Sequence, residues 1–373
     1  MKNNDTIKVI VSGGGTGGHI FPAIAIANGI RDRYPNSEIL FIGANGRMEM
    51  EKVPKAGYKI IGLNVQGLSR KSMLKNIPIL VKFFLSMEKA KKIIKNFKPD
   101  FVVGVGGYAS GAVLKAAVAQ HIPAIIQEQN SFPGKTNIML SKDVDAICVA
   151  YSGLEKYFPE EKIVMTGNPI RKEFLNITPK ADEAFEYFGI KDRCKPVVLI
   201  VGGSQGALAI NNAIAKDLQK YVDAGCFVIW QVGKNYLPTA KEQLKDSYGD
   251  SVWCSDFIYR MDLAYSVADM VISRAGAIAI SELCAVGLPA ILIPLPTAAE
   301  NHQMKNAKAL ADKGAALIVE NDKAEQELSN VAISLLNDRE KLQSLGTNIK
   351  KLAITDAVDR ILNIIETKIL NKE

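Results

Sequence analysis

Little in this chain suits metal, disulfide or membrane-spanning chemistry. Its 373 residues include only three histidines and five cysteines. Cys148, Cys194, Cys226, Cys254 and Cys284 lie far apart, form no CxxC pair and are odd in number, so a reducing compartment is expected rather than a disulfide framework. No HExxH and no Cys/His cluster occurs, so neither a metal centre nor a bound cofactor is expected. No uncharged apolar run approaches the ~18 residues that a spanning helix needs. The opening MKNNDTIKVIVSG runs straight into a strand-like segment, and no signal peptide is expected. Nor is there a large excess of one charge. A net +7 suits anionic partners such as phosphates or an acidic lipid surface, and is too weak to call for nucleic acid.

What is present is an ordinary globular balance, 48% hydrophobic and 23% charged, on a chain long enough for two cores. Short β-branched runs alternate with helical stretches. Strands are expected at IKVIVSG, EILFIG, FVVGVGG, PAIIQEQ, AICVA, KIVMTG, PVVLIVGG, CFVIWQVG, MVISRAG and PAILIPL. Near-continuous apolar strands with helices between them predict parallel sheets covered on both faces. One device occurs in both halves: strand, glycine-rich turn, helix, at Val11 and again at Pro196, each with a looser second copy at Phe101 and Met270. The fold class is therefore α/β, two doubly wound Rossmann-like domains. Residues 1–168 form the first and 169–352 the second. The helix of 353–373 is expected to pack back on the first. The stretch from Thr166 to Pro196 reads as linker and lead-in.

Gly13 to Gly18 hold five glycines and one threonine, after a strand and before a helix, with Pro22 expected in the first helical turn. Free amides and the positive end of a helix dipole make an anion site there, and glycines let a phosphate approach the backbone. Gly13, Gly15 and Gly18 satisfy G-x-G-x-x-G, but the second strand ends Gly43-Ala44-Asn45, with no carboxylate for a ribose, which weakens a dinucleotide reading. No Gly-Lys-Ser/Thr closes the turn as in a Walker loop. His19 follows at once. A helix start lowers a histidine's pKa and favours the neutral form of a general base.

GGSQGA at Gly202–Ala207 is the second expected phosphate cradle, with the Ser204 hydroxyl as an extra donor. Glu282 follows Arg274 by eight residues in a nearly uncharged helix, placed to accept ribose hydroxyls. Gln303 begins another helix, where sugar hydroxyls would be read. Glu128, Gln129, Asn130 and Asn137 cluster at a strand's carboxyl end, where open α/β sheets bind ligands. Arg171 is available to an anion. A further helix is expected near Pro78, with Leu80, Phe84 and Met87 as its buried stripe. Ile77, Ile79 and Phe83 are then spare apolar residues among Lys71, Lys75 and Lys82, which suits an anionic membrane surface as well as a two-sided buried helix.

GGGTGGHIFPAIA, GGYASG, QEQN, GNPIR, GGSQGA, SRAGAIAISE and NHQ, in this order, resemble the MurG family, which adds N-acetylglucosamine to lipid-linked N-acetylmuramyl pentapeptide in peptidoglycan synthesis. The resemblance implies a GT-B fold with two Rossmann-like domains facing across a cleft. It implies UDP-GlcNAc as donor, undecaprenyl-pyrophosphoryl-MurNAc-pentapeptide as acceptor, and a peripheral position on the cytoplasmic side of the membrane. Donor contacts would be Thr16, Gly17, Gly18, Asn130, Arg171, Ser204, Ile258 (through its backbone, to uracil), Ala277, Ile278, Ala279, Ile280, Ser281, Glu282 and Gln303. Gly14, Gly15, Tyr108, Glu128 and Asn137 would face the acceptor, and His19 would be the base. Two positions depart from the family pattern: Gln127 stands where a histidine is usual, and Ala279 where a threonine is common. An epimerase acting on UDP-GlcNAc and a non-catalytic nucleotide-sugar or lipid binder are the rival classes.

Overall fold

The computed structural model describes residues 6–66, 77–244, 248–298 and 301–370. The chain divides into two compact units, Met1–Arg171 with Asp356–Glu373, and Lys172–Thr355.

In the first unit the order is β1 (Lys8–Ser12), α1 (Gly17–Arg33), β2 (Glu38–Ala44), α2 (Glu49–Lys55), β3 (Lys59–Leu63), α3 (Ile77–Phe97), β4 (Phe101–Gly104), α4 (Tyr108–Val118), β5 (Ala124–Glu128), α5 (Lys135–Leu140), β6 (Ala146–Val149) and β7 (Ile163–Met165). The seven strands are parallel, in the order β3-β2-β1-β4-β5-β6-β7. Alternation along β1 sends Val9 and Val11 into one apolar layer with α1, and Ile10 into the opposite layer with α4, all three fully buried. Strand order reverses between β1 and β4. At such a point two turns leave the sheet in opposite directions and open a crevice at the strands' carboxyl ends.

The second unit repeats the plan: α6 (Asp182–Phe188), β8 (Val197–Val201), α7 (Leu208–Asp223), β9 (Phe227–Gln231), α8 (Leu237–Leu244), β10 (Val252–Ser255), α9 (Met261–Val267), β11 (Met270–Ser273), α10 (Ala277–Val286), β12 (Ala290–Leu292), α11 (His302–Ala311), β13 (Leu317–Ile318), α12 (Ala324–Asn337) and α13 (Arg339–Lys350). Its six parallel strands run β10-β9-β8-β11-β12-β13, reversing between β8 and β11. The last helix, α14 (Ala357–Ile365), belongs to the first unit and lies on α1. Gly29 lets it seat, since a Cβ there would meet Val358 Cγ2's partner methyl, Cγ1, at 2.3 Å. Arg33 bridges Asp359 and Glu366 beside it.

Several expectations are corrected. The linker reading fails for Phe174, Phe185 and Phe188, which are buried in the core of the second unit. Pro22 falls in the second turn of α1, where its missing N–H leaves the Gly18 carbonyl without a helical partner. The buried face of α3 is Phe83, Met87, Ala90 and Ile94, while Phe84 is 59% exposed. Phe83 is therefore packed against the core and not turned outward, and Ile79 is half-buried. Lys82 is exposed. Lys71 and Lys75 lie outside the described residues, as do the side chains of Ile77 and Leu80. No helix of the described residues is long and apolar enough to cross a membrane.

Candidate active site

The turn after β1 meets the turn after β4 so closely that side chains are excluded. A Cβ on Gly13 would lie 2.0 Å from Val105 Cγ2, and one on Gly107 would lie 2.6 Å from the Gly14 carbonyl oxygen. A Cβ on Gly14 would strike Glu49 Oε1 at 2.1 Å. Gly15 has φ +91, a conformation open to glycine at little cost. Packing thus accounts for Gly13 and Gly14, a larger share of the glycine run than a phosphate cradle alone requires. Gly17 and Gly18 open α1, and a helix's first amides have no intrahelical acceptor. Those two amides, with the exposed Thr16, are what the turn offers an anion.

A carboxylate does close this turn, from a place the sequence did not suggest. Glu49, at the start of α2, is fully buried and accepts from Gly15 N and Ala44 N, each at 2.9 Å. It holds backbone, not ribose. The available signal was an acidic residue five positions after a strand that ends Gly43-Ala44.

His19 Nδ1 lies 3.1 Å from the Gly14 carbonyl oxygen. A carbonyl only accepts, so Nδ1 carries the proton and Nε2 keeps its lone pair when the ring is neutral. Burial pulls the imidazole's pKa below its ordinary 6.5, against the opposing pull of Glu128, the Gly14 carbonyl and Glu49. Gly106 leaves room for the ring, since a Cβ there would sit 2.9 Å from Nε2. Tyr108, opening α4 in the same crevice, is 54% exposed.

Glu128 and Asn137, expected to face the acceptor, are buried and bonded to each other, with Asn137 Oδ1 left without a partner among the described residues. Glu128 accepts from Asn137 Nδ2 at 2.8 Å, from Gly134 N and Asn130 N at 3.0 Å, and from Asn130 Nδ2 at 3.2 Å. They shape the loop after β5 rather than project from it. Asn130 stays half-buried with its side-chain oxygen unspent by these bonds. Gln127 is fully buried, donates to Asn168 and accepts from Gln129, so a base at this position is replaced by a closed amide network. The Arg171 guanidinium stacks 4.6 Å above the ring of Phe21 on α1.

In the second unit the turn after β8 interlocks with the turn after β9. A Cβ on Gly206 would meet the Val232 carbonyl, and one on Gly233 would meet that of Gln205. Gln231 ties this turn to the next: its Nε2 donates to Gly203 O and its Oε1 accepts from Ile258 N, both at 2.9 Å. The Ile258 amide is therefore taken, and only its carbonyl remains for a base. Gly202–Gly206 also reads G-x-S-x-G, the spacing of a hydrolase nucleophile elbow. Ser204 has no hydrogen bond to a histidine among the described residues, so that reading lacks its base.

Beyond β11, Ile280 N already bonds Gly276 O at 3.0 Å and Ser281 Oγ donates to Ala277 O at 2.9 Å. Ile280 itself is in the core. The five-residue anion contact expected at Ala277 to Ser281 thus narrows to the amides of Ala277, Ile278 and Ala279. Glu282 is not a solvated helix glutamate: it is buried and accepts from Tyr265 Oη at 3.3 Å. Gln303, half-buried at the start of α11, accepts from Leu295 N at 3.0 Å, which leaves its amide N–H groups to donate. The chain's D-x-D spacing, Asp143 and Asp145, is spent on Lys115 and on Ala124 N. Among the described residues no group of three or more His, Cys, Asp or Glu is placed to hold a metal ion.

Two glycine-turned half-sites on mirrored parallel sheets match the known domains of one enzyme group. The model of the glycosyltransferase family 28 N-terminal domain matches residues 9–149, and that of the C-terminal domain residues 197–361. A curated relative from Parabacteroides distasonis, UDP-N-acetylglucosamine–N-acetylmuramyl-(pentapeptide) pyrophosphoryl-undecaprenol N-acetylglucosamine transferase, is 51% identical over 98% of this chain and 99% of its own. The chain belongs to the MurG family. A relative of the same name from Christiangramia forsetii is 48% identical over 98% of this chain and 99% of its own. The crystal structure of Acinetobacter baumannii MurG is 30% identical, covers 96% of this chain and 99% of its own, and has a TM-score of 0.72. The fold is thus GT-B. UDP-GlcNAc 2-epimerase from Neisseria meningitidis is also similar, with a TM-score of 0.68 over 96% of this chain and all of its own. At 16% identity that likeness extends to the fold alone.

Proposed function

We propose that this chain transfers N-acetylglucosamine from UDP-GlcNAc to the C4 hydroxyl of undecaprenyl-pyrophosphoryl-MurNAc-pentapeptide, converting lipid I to lipid II. The observation that carries the reading is full-length likeness to transferases of that name, and the site chemistry supports it. The first unit holds the acceptor. The amides of Gly17 and Gly18, donor contacts by the family resemblance, receive its pyrophosphate instead, because Gly15 N and Gly14 O are already bonded to Glu49 and His19, and Tyr108 faces the same acceptor. His19 Nε2 takes the proton of the C4 hydroxyl as that oxygen attacks C1 of the donor sugar. The C1–O bond to the diphosphate breaks on the opposite side, its electron pair leaves with UDP, and the configuration inverts.

The second unit holds the donor. Ser204 and the first amides of α10 meet the charge developing on the diphosphate. Glu282 accepts from the ribose, the Ile258 carbonyl from uracil, and Gln303 donates to the sugar hydroxyls. Thr16, Asn130 and Arg171 are the further anion contacts that the first unit offers. The protein works peripherally at the cytoplasmic face of the membrane. Val81, Phe84 and Leu85, at 53%, 59% and 66% exposure on α3, present the apolar surface, and Lys82 lies among them.

Incubation with labelled UDP-GlcNAc, with and without lipid I, tests the whole reading. Label is expected in the lipid only when acceptor is present. Free sugar or epimer formed without acceptor would establish the epimerase class instead, and UDP binding without turnover would establish a binding module.

A further inference from the structure

One peptide group in the turn after β1 is bonded from both sides. Its N–H, on Gly15, donates to Glu49 Oε2 at 2.9 Å. Its C=O, on Gly14, accepts from His19 Nδ1 at 3.1 Å. In a trans peptide these groups point in opposite directions and share one delocalised system, so a negative charge at the N–H makes the carbonyl a stronger acceptor.

The carboxylate is held for this. Glu49 is fully buried, and its other oxygen takes the Ala44 amide at 2.9 Å. Two glycines make room around it. A Cβ on Gly14 would lie 2.1 Å from Oε1, and one on Gly43 would lie 2.6 Å from Cγ. Gly15 adopts the φ of +91 that aims its amide at Oε2. None of these three features is needed to hold a phosphate.

We propose that Glu49 is a positioning residue for His19, acting through the Gly14–Gly15 peptide as a carboxylate–peptide–imidazole relay. It strengthens the Gly14 carbonyl that holds the Nδ1–H tautomer and makes Nε2 the stronger base. The interposed peptide matters, because it carries polarisation without offering the imidazole a direct proton acceptor. The other charged group facing His19 is Glu128, at the end of β5. Its oxygens are bonded to Asn130, Gly134 and Asn137, so it contributes field and does not act on the Gly14 carbonyl. The proposal rests on the reading of His19 as the base.

The test is nitrogen NMR of the full chain labelled in its histidines. In the unsubstituted protein, neutral His19 is expected as the Nδ1–H tautomer, and an Nε2–H tautomer would overturn the relay without any variant. In Glu49→Gln the His19 pKa is expected to fall by about one unit, with the Nδ1–H proton signal moved upfield as its hydrogen bond to the Gly14 carbonyl weakens. The acid limb of the kcat/KM profile moves down with it, and kcat falls about tenfold, while KM for UDP-GlcNAc stays put. Glu49→Asp, which keeps the charge, restores most of the pKa, and Glu128→Gln lowers the pKa but leaves the Nδ1–H signal in place. An unchanged His19 pKa and Nδ1–H signal in folded Glu49→Gln would overturn the proposal. Should His19→Ala keep its kcat while the NMR shifts occur as expected, the base assignment fails and the relay stands.

Discussion

Gly206 faces the carbonyl oxygen of Val232 at a spacing where an added Cβ would sit 2.1 Å away. Its φ of +78 is unfavourable for any other residue as well. Gly206→Ala is expected to destabilise the protein by about 2–4 kcal/mol, the sum of backbone strain and overpacking. Gly276→Ala is the matched control. That position has φ −69 and nothing within 4 Å of an added Cβ, so its denaturation midpoint should move little. Equal losses at both would show that glycine flexibility, and not this contact, governs the turns.

Gln231 bridges the Gly203 carbonyl and the Ile258 amide. Gln231→Ala leaves both groups without their partner, at a cost of about 1–3 kcal/mol. Because the bridge joins the diphosphate turn to the proposed uracil turn, KM for UDP-GlcNAc should rise severalfold more than kcat falls. Steady-state kinetics at saturating acceptor would reveal the split. A kcat defect at normal KM would place Gln231 outside donor binding.

His19→Ala should lower kcat by about 10²–10⁴-fold, with UDP affinity by calorimetry unchanged. The pKa of His19 is depressed by burial from 6.5. The base is therefore in its working form above that depressed value, and activity should hold below pH 6.5 before it falls. The same shift acts on stability. The unfolded state takes up the proton first, so His19 contributes fully above pH 6.5 and the contribution is lost as pH falls through the folded value. In His19→Ala, stability should depend less on pH in that window.

Phe84→Ser with Leu85→Ser removes apolar surface that is 59% and 66% exposed. Sedimentation with anionic vesicles should show weaker binding and unchanged thermal stability. Phe83→Ser should instead lower stability, because Phe83 packs on the core. Full vesicle binding by the double variant would move the membrane surface elsewhere.

The strands that pattern reading missed are all at sheet edges, although the edge strand β7 was found from its apolar Ile-Val-Met run. β3, β10 and β13 were not expected, and each is the last strand at an edge. Edge strands are covered less: β10 and β13 are only half-buried throughout. Their sequences therefore lack the continuous apolar run that marks a central parallel strand. The α3 stripe went wrong for a related reason. Val81, Phe84 and Leu85 are as apolar as Phe83 and Met87, and an apolar residue does not state which side of a helix meets the core.

From the sequence alone came the α/β class, the mirrored strand–glycine–helix devices and the family motifs, because backbone turns and buried parallel strands each demand particular residues at fixed local spacing. Tertiary structure decided what each glycine avoids and where each polar group is spent. Glu49 reaches Gly15 across thirty-four positions of chain, and Gln231 reaches Ile258 across twenty-seven. Such pairings depend on how strands are ordered in the sheet, and no local pattern encodes that order.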